Sequence, residues 1–523
     1  MMNLIRNKIK KIFKQLLPYS ISMEELKFID KNRTKWTNTN NDIGILIEGF
    51  VDSPTSVVEK ARLAKAAEEV LKLKSIVMTR SLYNSSSNVK AVYESFCINK
   101  SLNYWQGYLN PLIIAKAINV TFHIFKNIKK GDDLVGFKLN DIIIGDLIYD
   151  TLIRFIPNTY TVDNIEFKKH FRLIFRAAFT FHMNDKILEK YNIQVVVTSH
   201  NVYAEYGLLC RQAHKNGALI LLKDMDVYKC YDKNKNVNQH FLKISMQEFN
   251  KSLNDDTIYE KANDYYQSRL EGDIDQVDVK NAYKDKVIYR KDDLIQPQEQ
   301  DNKNIFVMAH AFSDAPHVGE GLLFRDYYDW LVQTLIFLNK VDGINCFVKS
   351  HPSSYMWGEK GVVENIIDSY SLENVKVLPA NLNTKSIYDL ADCIVTAKGT
   401  AGLEFSCAGI PAIIAGKGYY SGFRVAIESE SVDDYFINLS KTNSIHKLDD
   451  NTKRKARILL FKTFTNLYHS KVLPKVQIRP GDDYHLLYRS KYQELSENID
   501  NGFEMKDEFY HMVKKELKNI NEK

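Results

Sequence analysis

Short apolar runs closed by glycine, proline or small polar residues recur along the chain, and helical periodicity fills the gaps between them. Residues 43–48 (IGILIE) are one such run. Residues 49–54 make a turn, and 55–72 place apolar side chains at three- and four-residue intervals, which predicts an amphipathic helix. Runs at 75–79 (SIVMT), 141–144 (DIII), 194–198 (QVVVT) and 218–222 predict further strands. Helices are expected from 145 through 154 and from 203 through 216, with Gly217 as a C-cap. Strand, polar turn, helix, strand over 42–235 is the pattern of a doubly wound parallel sheet.

Residues 236–302 break this rhythm. They are polar with clustered charges and predict helical excursions or an interdomain connection. A second alternating domain is expected over 303–440. Its strands are predicted at 305–309 (IFVMA), 344–349 (INCFVK), 375–378, 393–396 (CIVT) and 411–415, and its helices at 327–338, at 386–391 and from about Leu403. Residues 441–523 read as a polar helical extension. The expected class is α/β, and no short-period repeat or low-complexity tract is evident.

Composition narrows this picture. A chain of 523 residues corresponds to about three domains, or two large ones with appendages. Apolar residues at 45% and charged residues at 26% exclude wholesale disorder. A net charge of +6 is too mild to suggest a nucleic-acid binder. The cysteines, Cys97, Cys210, Cys230, Cys346, Cys393 and Cys407, form no C-x-x-C pair, which argues against a disulfide scaffold or a zinc ribbon and for a reducing compartment. No run of about 18 apolar residues predicts a membrane span, and no apolar stretch of signal-peptide type follows the basic N-terminus. Residues 1–19 place Ile5, Ile9, Ile12, Phe13 and Leu16 on one helical face beside Arg6, Lys8, Lys10, Lys11 and Lys14. Such a helix can lie on an anionic membrane surface or dock on its own domain.

Candidate chemistry gathers at predicted strand ends. After strand 393–396 come Lys398, Gly399, Thr400, Ala401 and Gly402, followed by a helix. Glycines let the backbone approach a ligand closely, and a helix N-terminus suits a phosphate. Thr400 can add a hydroxyl donor, and Glu404 in the first turn can reach a ribose diol; a tight turn with no ligand would also fit. Lys349, Ser350, His351 and Pro352 follow strand 344–349, at the carboxyl edge where open α/β sheets bind ligands. The segment 309–317 holds His310, Asp314 and His317, which suit polar contacts to a substrate better than a metal triad. The first domain offers Glu48, Asp146, Asp150, His200 and Glu205 at or after strand ends. Asp146 and Asp150 share a helical face by their spacing. Either can serve a hydroxyl as general base, and each equally fits a cap or an ion pair with Arg154 or Arg211.

Through these residues the stretch 304–425 resembles the donor-nucleotide domain of GT-B glycosyltransferases, especially bacterial capsule polysaccharide biosynthesis proteins, the group that includes β-Kdo transferases. KSHP at 349–352, KGTAGLEFSCAGIPAIIAG at 398–416 and GYYSGF at 418–423 carry the likeness. GDLIYDTLIR at 145–154 and SHNVYAEYGLLCRQAHKNG at 199–217 resemble the acceptor half of surface-carbohydrate enzymes more weakly. The resemblance implies two Rossmann-like domains facing across a cleft. It further implies that His351, with Lys349 and Lys398 beside it, contacts the donor phosphate. Gly399, Thr400, Ala401 and Gly402 would cradle that phosphate, and Glu404 would bind the ribose. Asp146, His200, Glu205, His310 and Asp314 are then the candidates for catalysis and acceptor contact.

The implied activity is sugar transfer from a nucleotide sugar to a growing surface polysaccharide or lipid-linked glycan. It would take place in the cytoplasm or on the inner membrane face, without a tightly bound cofactor. No acidic metal motif of D-x-D type is evident in the donor half, so metal-independent transfer is expected. The donor would be CMP-, UDP- or GDP-linked; Gly399-Thr400 stands where β-Kdo and sialyl-type enzymes often carry paired hydroxyls, a departure that counts against the CMP-linked donor and leaves the UDP- and GDP-linked ones open. Polyol-phosphate transferases of teichoic-acid type using a CDP-linked donor, nucleotide-sugar epimerases and a non-catalytic capsule-assembly subunit share parts of this pattern.

Overall fold

The computed structural model describes residues 21–38, 41–80, 89–224, 227–239, 243–274, 276–284, 286–319, 321–465, 470–474 and 483–522. The predicted basic helix over 1–19 lies outside these residues.

The first half carries β1 (Ile43–Gly49), β2 (Lys74–Thr79), β3 (Ser101–Asn103), β4 (Lys138–Leu139), β5 (Ile142–Ile143), β6 (Val195–Thr198), β7 (Leu219–Asp224) and β8 (Val227–Tyr231). Six of these form one sheet in the order β3-β2-β1-β6-β7-β8. All neighbours pair in parallel except β8, which returns antiparallel on β7. The apolar run at 141–144 is not a strand of this sheet. Its two central residues pair antiparallel with β4 in a separate hairpin. Asn140 and Asp141 both have positive φ, so the chain reverses there instead of running on as a sheet strand.

The second half carries β9 (Lys303–Met308), β10 (Ile344–Lys349), β11 (Val375–Val377), β12 (Cys393–Thr396), β13 (Ala412–Ile414) and β14 (Ile427–Glu428). Their order is β11-β10-β9-β12-β13-β14, parallel throughout. In both halves the chain starts at the sheet centre, builds outward on one side, then crosses back. The switch points therefore lie between β1 and β6 and between β9 and β12, where ligands bind in open α/β sheets.

Both faces of each sheet are covered, which is why the strands read as mainly apolar runs without alternation. Leu46 and Val196 face one core with Leu147, Ile148, Ala178 and Leu208. Ile45, Ile47, Val195 and Val197 face another with Val57, Ala61, Tyr93, Leu495 and Val513. Pro54 opens the Pro54–Leu71 helix and Lys72, in the left-handed region, ends it. In the second half Val307, Val348 and Val395 pack on Trp330 and Leu335, while Phe306, Phe347 and Ile394 pack on Leu382 and Ile387.

Two segments pack in ways local patterning does not show. Phe249, Ala262 and Tyr266 from the polar stretch after β8 join Leu403, Cys407 and Leu459 in one cluster, so that stretch lies on the second half. The Asp450–Thr465 helix stays with it, whereas Tyr484–Asp500 and Glu508–Asn521 return to cover the first half. Arg62 meets Asp507 at 2.7 Å in this return. All six cysteines are free thiols, five of them buried.

Candidate active site

The carboxyl edges of the two sheets face each other, and several contacts cross between the halves. Asp326 is the hub of one. Its Oδ1 caps the Tyr327–Leu338 helix by accepting the Asp329 amide at 2.8 Å, and its Oδ2 accepts the Tyr149 hydroxyl from the first half at 2.5 Å. Arg325 reaches Asp132 and Asp163 of the first half. Arg154 lies 3.6 Å above the Trp357 ring.

At the first switch point Glu48 is fully buried and joins the ends of β1 and β6. It pairs with buried Lys60 at 3.0 Å and accepts the Ser199 hydroxyl at 2.7 Å, the Ser199 amide at 3.2 Å and the Phe50 amide. Burial alone would raise its pKa; Lys60 and these donors outweigh burial and hold it below the usual carboxylate range. Glu48 thus ties the Ser199-His200 loop to the sheet. His200 is half-buried, with its ring edge-on to Tyr206.

The structure separates the two carboxylates that share a helical face. Asp146 is held by a two-pronged Arg211 contact at 2.6 and 2.7 Å, and Arg211 also donates to the Ile143 carbonyl. Asp150, one turn later, points across to the second half. Its Oδ1 lies 2.6 Å from His317 Nδ1, and its Oδ2 accepts the His317 amide at 3.3 Å. Burial disfavours the imidazolium, but the Asp150 carboxylate outweighs burial and raises the His317 pKa above its ordinary value. Glu205 sits apart from this pair, between Arg80 and Arg176. Residues 203–207 form a single π-turn before the Leu208–Lys215 helix, in place of one continuous helix from 203.

The loop after β9 is pinned by Glu359, which accepts the Phe312 and Ser313 amides at 3.0 Å each and the Ser313 hydroxyl at 2.8 Å. This fixes three residues named from sequence. His310 stacks on Tyr327 with centroids 4.0 Å apart, and its Nε2 accepts the Lys398 amide at 3.4 Å. That acceptor role requires an unprotonated Nε2, and burial also pushes its pKa well below the usual value. Asp314 is exposed, with the Tyr203 hydroxyl of the first half 3.5 Å away. His317 meets Asp150 as described.

The loop after β12 adjoins this cluster. Lys398 donates to the Val318 carbonyl at 2.7 Å, and burial lowers its pKa to about 8 against the opposing pull of Asp150. A Cβ on Gly399 would lie 3.2 Å from His310 ring atoms. Thr400 precedes the Ala401–Cys407 helix, which begins two residues before Leu403. The Gly402 amide turns back on the Gly399 carbonyl at 3.1 Å and those of Leu403 and Glu404 on the Thr400 carbonyl at 3.0 and 2.9 Å, so the amides ahead of them, of Thr400 and Ala401, are the ones the helix itself does not use. A Cβ on Gly402 would come 2.3 Å from the Tyr420 hydroxyl, which donates to the Gly399 carbonyl at 2.8 Å, so the glycine makes room for the tyrosine that shapes the loop.

At the neighbouring strand end Lys349 is buried with its pKa lowered to about 8, by burial first and by Lys286 second. His351 Nδ1 accepts the Ser353 amide at 3.2 Å. Glu404 pairs with Arg269 at 2.5 Å, and Arg269 also donates to Gln276.

Sequence reasoning named His310, Lys398 and Gly399, which the fold brings into contact, and placed Lys349 and His351 on the adjoining loop. It offered Asp150 and His317 as members of a pair and a loop but not as partners. It missed Glu359, Arg269, Tyr149 and Asp326, whose roles depend on contacts far apart in the chain. Among the described residues no group of three or more His, Cys, Asp or Glu could hold a metal ion.

Two doubly wound domains facing across a cleft, with loops at both switch points turned inward, define the GT-B class of fold; the strand orders and facing edges carry that assignment. No family model and no curated protein matches the chain. Among solved structures it is similar to a β-Kdo 2,4 transferase, KpsC, of Thermosulfurimonas dismutans, at 11% identity and TM-score 0.31, covering 51% of this chain and 79% of that one. A glycosyltransferase of Rickettsia africae is similar at 13% identity and TM-score 0.26, covering 88% and 100%. A UDP-GlcNAc 2-epimerase of Methanocaldococcus jannaschii, solved with UDP-GlcNAc and UDP, is similar at 11% identity and TM-score 0.24, covering 81% and 99%.

Proposed function

We propose that this protein is a glycosyltransferase that moves a sugar from a nucleotide-sugar donor to a surface polysaccharide or lipid-linked glycan. The observation that carries the reading is the Asp150–His317 pair, which joins the helix after the first domain's hairpin to the first loop of the second domain, beside Lys398 and His310. The donor nucleotide sits on the second half. Its phosphate takes the amides of Thr400 and Ala401, with Lys398 and Lys349 supplying positive charge and His351, whose Nδ1 accepts from Ser353, donating from Nε2. Glu404 is the ribose partner, sharing its carboxylate with Arg269.

In the reaction the acceptor oxygen forms a bond to the anomeric carbon as the bond from that carbon to the phosphate oxygen breaks. The acceptor proton passes to His317, whose imidazolium Asp150 stabilises. The electron pair of the broken bond leaves with the nucleotide, where the lysines and helix amides offset its charge.

The reading is tested by calorimetry and thermal shift with CMP, CDP, UDP and GDP on wild type and His351→Ala. A ligand that binds only the folded state raises stability by mass action. One nucleotide is expected to bind and to lose affinity in the variant. A folded protein that takes none of the four would overturn the donor site. Phosphate transferred with release of CMP would replace sugar transfer by polyol-phosphate transfer.

A further inference from the structure

The first half carries a face that the reaction does not use. The Pro111–Asn127 and Phe167–Tyr191 helices lie side by side, with the Phe122 and Phe167 rings 6.2 Å apart and the Phe125 and Phe167 rings 4.9 Å apart. Large apolar side chains stand out from this pair and from the 3-10 turn before it. Leu109 is 84% exposed, Leu112 71%, Phe122 54% and Phe167 49%. On the first helix Leu112, Ala115, Ile118 and Phe122 share the outward side. An apolar stripe of this size on a folded surface marks a contact.

Its charge says what kind. No Asp or Glu occurs between Glu94 and Asp132, a stretch that carries Lys100, Lys116, Lys126, Lys129 and Lys130. None occurs from Phe167 through Asn184, which carries Lys168, Lys169, Arg172 and Arg176. Lys116, Lys126, Lys168, Lys169 and Arg172 are all exposed. The nearest acids are engaged or peripheral. Asp132 and Asp163 are held by Arg325, Asp185 accepts from Gln212, and Glu166 lies at the helix start. Exposed leucine and phenylalanine flanked by lysine and arginine match a bilayer surface, where the rings enter the acyl boundary and the cations meet anionic headgroups. A second copy packed on this face about a two-fold axis would set like charge against like. Among the described residues no helix is long and apolar enough to span a membrane, so contact through this face is surface docking.

We propose that this face docks the protein on an anionic phospholipid bilayer. An aromatic path links it to the cleft edge: Phe167, Phe171, Phe175 and Phe179 follow one another, and Phe179 stacks on Tyr108 at 3.9 Å and meets Tyr104 just after β3. A docked molecule presents that edge of its first half to the lipid.

Vesicle flotation of the full chain tests this, with vesicles of phosphatidylcholine alone and of phosphatidylcholine with phosphatidylglycerol in equal parts. Wild type is expected to float with the anionic vesicles only. The double variants Leu112→Ser/Phe122→Ser and Lys116→Glu/Lys126→Glu change exposed side chains and should melt like wild type. Each is expected to lose binding by about tenfold or more, since each removes apolar contact or several charge contacts. Unchanged binding in both variants would place attachment elsewhere and overturn the proposal, as would equal binding to neutral vesicles or none by wild type. A lipid-free dimer that dissociates in Leu112→Ser/Phe122→Ser would also overturn it, by assigning the face to a second copy.

Discussion

His317 Nδ1 lies 2.6 Å from Asp150 Oδ1, although 167 residues separate them. The pair predicts a pH signature. His317 has its pKa raised in the folded protein, so its contribution to stability is full below the unfolded value of about 6.5 and is lost as pH rises through the folded value. As a base it works in the neutral form, so kcat/KM should rise with pH through that same value. In Asp150→Asn burial acts without the opposing carboxylate. The acid limb of the pH–rate profile should then move to lower pH, and the rate should fall roughly a hundredfold or more. An acid limb that stays in place would remove the pair from the chemistry.

His310 behaves oppositely. Its folded pKa is depressed by burial, so it stabilises the fold above about pH 6.5 and that contribution is lost as pH falls toward the folded value. Chemical denaturation across this range should show a shallower acid decline for His310→Gln than for wild type.

Glu48 and Lys60 are an ion pair with 0% and 1% side-chain exposure. Glu48→Gln leaves the lysine charge buried without its partner and should cost about 3–5 kcal/mol in urea unfolding. Glu48→Gln/Lys60→Met removes both charges and should recover part of this loss. Additive losses would show that the two do not act as a pair.

The Gly402–Tyr420 contact makes a coupled prediction. Gly402→Ala places a methyl 2.3 Å from the Tyr420 hydroxyl and should destabilise by about 1–3 kcal/mol, with weaker nucleotide binding. Tyr420→Phe removes the hydroxyl, so the double variant should be more stable than Gly402→Ala alone. Thermal melts of the four proteins measure the coupling.

Glu404 serves two partners in the proposed reading, Arg269 and the ribose. Glu404→Gln should lower stability by weakening the Arg269 contact and should narrow the affinity gap between a ribonucleotide and its 2′-deoxy form. Calorimetry with both nucleotides separates the effects: a lower melting temperature with an unchanged gap would leave Glu404 a structural role only.

Much of this architecture is legible locally. The runs at 305–309, 344–349 and 393–396 become the central strands because both sheet faces are buried, which makes most of their positions apolar. The glycine loop after β12 is legible for a related reason, since Tyr420 leaves no room for a Cβ on Gly402 and His310 crowds one on Gly399. The run at 141–144 looked like the others but lies in a hairpin, because positive φ at Asn140 and Asp141 turns the chain back.

The site divides along the same line. Spacing places Asp146 and Asp150 on one helical face, and nothing within that helix distinguishes them. Packing does so. Arg211, 65 residues further on, neutralises Asp146, while His317 comes over from the other half to meet Asp150. Periodicity and turn chemistry act over a few residues and so leave a mark in the chain. Which carboxylate keeps an ion pair and which turns to the cleft depends on burial and charge brought together across 65 and 167 residues of chain, and that exists only once both halves are folded and facing.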